Sequence, residues 1–186
     1  TSQFLHGGWM HLIGNMLYLW ILGDNVEDCM GHVRFLIFYL VCGLAAVGTH
    51  MLIDTGSTVP LVGASGAISG VMGAYLLLHP TARINVLIWI LIFVRVVPVP
   101  AGIALAAWIG LQFVNAAADP GAGGGVAFWA HIGGAVAGMV LVPFFKRKDV
   151  SLLAGIGGRP MPSTATDSPK IRLRRSETTP VRRPWR

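Results

Sequence analysis

The feature of this sequence that most limits its folding is a series of apolar runs on the scale of a bilayer's thickness. Five segments are read this way: Trp9–Leu22, Phe35–Ile53, Ser65–Leu78, Ile103–Ala118 and Val126–Phe145. A helix needs about 20 apolar residues to cross the hydrocarbon core. Lipid offers no partner to a backbone N–H or C=O, so a chain built of such runs must satisfy itself as helices. The residue balance agrees: 54% of the residues are hydrophobic and only 12% charged, against about a quarter charged in a soluble domain. The expected fold is an all-α polytopic transmembrane bundle. A sixth apolar stretch, Ile84–Val94, is too short to span and is expected to lie at the interface or against the bundle.

Charge orients the bundle. Of fourteen Lys and Arg residues, only Arg34, Arg83 and Arg95 precede Lys146. These three and the Lys146-Arg147-Lys148 run fall on alternate connections, while Asp54–Val62 and Asp119–Gly125 carry no basic residue. The positive-inside rule puts the basic side in the cytoplasm. From Lys146 onward Pro, Ser, Thr and Arg dominate, so residues 1–145 read as the membrane core and 146–186 as a disordered tail. The scattered basic residues of that tail directly follow a membrane segment. This points to anionic lipid, with no nucleic acid among the partners. Cys29 and Cys42 lie in a loop and an apolar run and read as thiols. No signal peptide is recognised, and Thr1–His6 reads like the end of a loop.

The polar residues inside the apolar runs carry the functional argument. Ser65 lies fourteen residues before His79, about 21 Å above the inner boundary at the rise of a helix. His131 lies fifteen residues before Lys146, about 22 Å up, and His11, thirteen before Asp24, about 20 Å up. Asn15 stands one turn below His11 on the same face. Singly, each is an ordinary interhelical hydrogen-bonding residue. Together, at one depth about 10 Å below the outer surface, they mark a site. Gly66/Gly70 and Gly134/Gly138 are small-xxx-small pairs that let two helices approach closely. Such an approach would bring Ser65 and His131 toward the hydrogen bond that a nucleophile and its base require. His6, His32, His50 and His79 sit at segment ends or in loops. No metal site and no cofactor is expected, because no carboxylate or thiol supports His6 and His11 at ligand spacing.

At these residues the chain resembles the rhomboid family of intramembrane proteases. His11-x-x-x-Asn15, Gly63-Ala64-Ser65-Gly66 and Ala130-His131-x-x-Gly134-x-x-x-Gly138 occur in the family's order, over about residues 4–145. The resemblance implies a six-helix core of which five helices lie in this chain, and an active site open to the extracytoplasmic side of a bacterial plasma membrane. It implies a serine endopeptidase acting on single-span transmembrane proteins near that side. Ser65 would be the nucleophile, His131 the general base, and His11, Asn15, Gly63 and Gly66 the oxyanion and substrate-binding region. The catalytic pair is read as a dyad, with Asp54 and Asp119 as solvated loop residues. Some relatives place a Tyr four residues after the serine to stack on the histidine. This chain has Ser69 there, which leaves open what orients the imidazole. The alternative function is that of an inactive relative binding transmembrane clients. A channel or transporter would place ionised groups in the central segments, and these hold no Asp, Glu, Lys or Arg.

Overall fold

The structure is a computed structural model, and it describes residues 2–53, 55, 62–90, 93–118, 127–154 and 156. A short 3₁₀ turn at Ser2–Phe4 precedes α1 (Trp9–Met30) and α2 (His32–Ile53), which are joined at Gly31. Next come α3 (Ser65–Leu78), the strands β1 (Arg83–Ile90) and β2 (Phe93–Pro100), then α4 (Ala101–Ala118) and α5 (Phe128–Phe145). The protein is a polytopic helical bundle, as its apolar runs require. Among the described residues three helices, α2, α4 and α5, are long and apolar enough to cross a membrane. At 14 residues, α3 extends about 21 Å, so its N-terminus stops short of a hydrocarbon boundary about 30 Å from its base. Ser65 stands at the N-terminus of this short helix.

Glycine sets the tertiary packing. The backbones of α3 and α5 touch: a Cβ on Gly134 would collide with the Gly66 carbonyl, one on Gly138 with the Gly70 carbonyl, and one on Gly73 with the Ala135 carbonyl. On the other flank α2 closes against both helices, with Cys42 against Gly70, Ala46 against Gly66 and Thr49 against Gly133. Without a hydrophobic force between helices in lipid, association depends on this closeness of approach. Phe38, Val71, Leu78 and Val142 are fully buried where these helices meet, and Leu22 and Val26 bring in α1.

Two segments differ from the sequence expectation. The stretch beginning at Ile84 folds back as an antiparallel hairpin, in register from Arg83↔Pro100 to Ile90↔Phe93. Val and Ile are stiff at χ1 and favour strands, and Pro98 and Pro100 cannot continue a helix. The described residues therefore form a helical bundle with one two-stranded excursion between α3 and α4.

The second difference lies at residues 146–154, which belong to the folded body. The Arg147 N–H donates to the Cys29 carbonyl at 2.8 Å and the Leu153 N–H to the Leu77 carbonyl at 2.6 Å. The Thr81 hydroxyl donates to the Ala154 carbonyl at 3.2 Å, and Val150 and Ala154 are buried. Polar composition hid this strap because its attachments are main-chain bonds, which composition does not report. The tail beyond residue 156 lies outside the described residues. Val150→Asp should destabilise the bundle by roughly 2–4 kcal/mol, since it buries a carboxylate without a partner. Thermal unfolding in detergent checks this, and an unchanged midpoint would show that the strap is not held by its core contacts.

Beneath the strap, His79 is 2% exposed and its Nε2 lies 3.6 Å from the Cys29 sulfur. Its ring packs on Tyr75 with centroids 4.9 Å apart. Burial holds its pKa below the ordinary histidine range. It is a neutral packing residue at the base of α3.

Candidate active site

Gly63 turns the chain into α3 with φ at +115°, a region in which a side chain is strained. It also has no room for one: a Cβ there would meet His11 Cε1 at 2.7 Å and Nε2 at 2.8 Å. Ser65 is the first residue of α3. Its backbone N–H is one of the four at a helix start that have no intrahelical acceptor.

His131, on the first turn of α5, reaches across the glycine contact. Its Nε2 lies 2.9 Å from Ser65 Oγ. This is the juxtaposition expected from the two glycine-rich motifs. On the opposite edge of the ring, His131 Nδ1 lies 2.9 Å from Gln112 Oε1. Gln112 comes from α4 and is 5% exposed. Trp108, one turn earlier on α4, covers the imidazole with ring centroids 5.6 Å apart and planes inclined by 37°. Ser69 does not bear on the ring: its hydroxyl donates to the Ser65 carbonyl at 2.6 Å.

His11 and Asn15 arrive from α1. The His11 Nδ1 accepts from the Gly7 N–H at 3.3 Å, so in the neutral ring the proton sits on Nε2, the edge beside Gly63. Asn15 is 7% exposed. Its Nδ2 lies 3.6 Å from where a Gly63 Cβ would stand, and among the described residues this buried amide nitrogen has no hydrogen-bond partner. A buried donor left unpaired costs about 1–3 kcal/mol. Two donors thus gather at Gly63, two residues before the serine, while the imidazole meets the serine itself.

Gly66 follows Ser65 directly, and the space over its Cα is filled by Ala46 and Ala130. It serves the packing, with Ala46 on one side and Gly134 on the other. His6 makes an edge contact with His11 at 5.3 Å between centroids, and His32 pairs with Glu27. Among the described residues no three His, Cys, Asp or Glu side chains gather in a way that could hold a metal. Asp54 and Asp119 lie outside the described residues.

Gln112 and Trp108 are the site residues that the sequence reading passed over. A signal existed. Gln112 lies eleven residues from the start of α4, about 17 Å above the inner boundary, near the level of the other polar groups. A polar residue inside an apolar helix is a functional candidate by default.

Comparison with known proteins agrees with the motifs. The Rhomboid domain family model matches residues 1–148. Rhomboid protein 1, mitochondrial, of Saccharomyces cerevisiae is 33% identical over 143 residues, covering 75% of this chain and 39% of that protein. RHOMBOID-like protein 6, mitochondrial, of Arabidopsis thaliana is 31% identical over 144 residues, covering 76% of this chain and 41% of that protein. Rhomboid protease GluP of Bacillus subtilis is 42% identical over 76 residues, 41% of this chain and 14% of the protease. The chain therefore spans well under half the length of these relatives. No solved structure matches it. With one domain model matching most of the chain and relatives at this identity over three quarters of it, the chain belongs to the rhomboid family.

Proposed function

We propose that this protein is an intramembrane serine endopeptidase with Ser65 as nucleophile and His131 as general base. The observation that carries the reading is the 2.9 Å separation of Ser65 Oγ from His131 Nε2. Neutral serine attacks poorly until a base removes its proton, and imidazole has an unperturbed pKa suited to that task. The Oγ–H proton passes to Nε2 as Oγ bonds to the scissile carbonyl carbon. The proton then passes to the leaving amine as the C–N bond breaks, and water releases the acyl group by the same route in reverse order.

The tetrahedral intermediate puts a negative charge where lipid cannot solvate it. Asn15 Nδ2, His11 Nε2–H and the Ser65 N–H supply the donors, and preorganised donors of this kind are a major source of rate. That Asn15 Nδ2 has no partner among the described residues supports this role, since a donor kept for a transient anion needs no resting partner. Asn15→Ala is expected to lower kcat by about 10²–10³ with little change in KM. Steady-state cleavage in detergent decides this; a loss confined to KM would remove Asn15 from the oxyanion role.

Substrates are single-span transmembrane proteins whose helices unwind near the outer leaflet, because the dyad stands about 10 Å below it by helix rise. The bilayer is that of a bacterial plasma membrane with the basic end of the bundle in the cytoplasm, and the basic tail binds anionic lipid there. The test is to incubate the full-length protein in proteoliposomes with a panel of labelled single-span substrates. Cleavage near the extracytoplasmic boundary supports the reading. Capture of a substrate without cleavage across the panel would instead favour an inactive client-binding protein.

A further inference from the structure

The polar contacts around His131 form a chain in which each hydrogen bond fixes the direction of the next. It begins at a backbone carbonyl. Gln112 Nε2 lies 3.3 Å from the Trp108 carbonyl oxygen. That oxygen can only accept, so the amide nitrogen must face it and Oε1 must face His131. Oε1 is itself only an acceptor, so the imidazole atom 2.9 Å away, Nδ1, must carry the proton. A neutral imidazole has one N–H. Its Nε2 is then bare, and the Ser65 hydroxyl 2.9 Å away donates to it.

We propose that Gln112 is the positioning residue of the dyad: its amide, locked by the Trp108 carbonyl, sets the tautomer and ring plane of His131. The inference rests on the protease reading above. Gln112 is suited to the part because it is buried and four residues from its anchor, the spacing that stacks side chains along one face. Trp108 adds a wall over the ring that opposes rotation. Gln112 occupies the side of the imidazole that an Asp holds in a soluble triad, without the cost of burying a carboxylate. The neutral amide orients the ring and still accepts from the imidazolium formed in the transition state, since Nδ1 keeps its proton throughout. Of the helices around His131, α3, α4 and α5 carry no Asp, Glu, Lys or Arg; α1 contributes His11, and α2 has His50 in its last turn and His32 and Arg34 in its first.

The experiment uses the full-length protein and Gln112→Leu and Gln112→Glu variants, with Ser65→Ala as the inactive reference. In Gln112→Leu, kcat should fall by a factor on the order of 10 to 100 with KM within about twofold. In Gln112→Glu the carboxylate would favour the imidazolium. The base would then be lost at higher pH, and the acid limb of kcat/KM should move up by about one unit. Nitrogen-15 histidine NMR on the Ser65→Ala background reads the tautomer directly. The Nδ1–H form is expected with Gln112 present, and its loss is expected on Gln112→Leu. The proposal is overturned if the tautomer persists in Gln112→Leu, if kcat there stays within about twofold, or if the acid limb of Gln112→Glu does not move. If the unaltered protein neither cleaves substrate nor is labelled at Ser65, the protease reading fails, and the NMR comparison still decides what Gln112 does.

Discussion

Ser65→Ala is expected to abolish cleavage of every transmembrane substrate that the unaltered protein cuts, and to leave the fold intact. The hydroxyl is the only group on the Ser65 side chain, and it lies 2.9 Å from His131 Nε2. Its removal takes away the atom that would form the acyl bond. Losses on the order of 10⁶ in kcat follow such a change in a serine hydrolase. The β-carbon remains, the site is partly buried, and the one bond lost to His131 belongs to a contact between α3 and α5 that glycine backbones hold. A fluorophosphonate reagent separates chemistry from binding: it should label the unaltered protein and fail on Ser65→Ala, whose thermal unfolding should match. His131→Ala should lose activity to a similar extent, and the double variant should be no worse than either single one, because the pair acts as a unit. Full activity in Ser65→Ala would sink the assignment of the nucleophile.

The largest structural effect is expected from Gly138→Val. A Cβ at Gly138 would collide with the Gly70 carbonyl, and Gly70 Cα would also lie 2.7 Å from it. No rotamer relieves a clash between a β-carbon and backbone, so α3 and α5 must separate. Overpacking a tight site costs about 1–3 kcal/mol when side chains can yield, and here the atoms met are all backbone, so a loss of at least about 3 kcal/mol is expected. Activity should fall with it, although Ser65 and His131 are both retained, because the same contact holds them together. Gly110→Ala provides the contrast. Nothing lies within 4 Å of a Cβ there, and removing a glycine from a helix interior gains up to about 1 kcal/mol. Unfolding midpoints in detergent, with cleavage rates beside them, check both. A stable, active Gly138→Val would mean that α3 and α5 do not pack as described.

The two results bear on how the site was legible. Ser65 and His131 could be paired before any coordinates because the glycine spacings announced close helix contact and the depth count put both at one level. Gln112 obeyed the same count, yet its neighbours Leu111 and Phe113 made it look like one polar residue in an apolar run. The strap at 146–154 was missed for another reason. Its composition resembles the tail that follows, and its order comes from main-chain bonds to Cys29 and Leu77, residues distant in sequence. The stretch Ile84–Val94 reads in sequence as too short to span, but its pairing as part of two strands over 83–100 does not show there.

The sequence alone determined the class of fold, because lipid leaves a backbone no acceptor but its own helix. It also singled out Ser65 and His131 as the candidate nucleophile and base, because few residues can serve as either and glycine brackets both. The tertiary structure decided what each of them faces. The partner of His131 Nδ1 comes from α4, nineteen positions earlier, and the direction of its hydrogen bond is set by a carbonyl that every residue possesses. A main-chain oxygen leaves no mark in a sequence, so the orientation of the imidazole could be read only once the helices were packed.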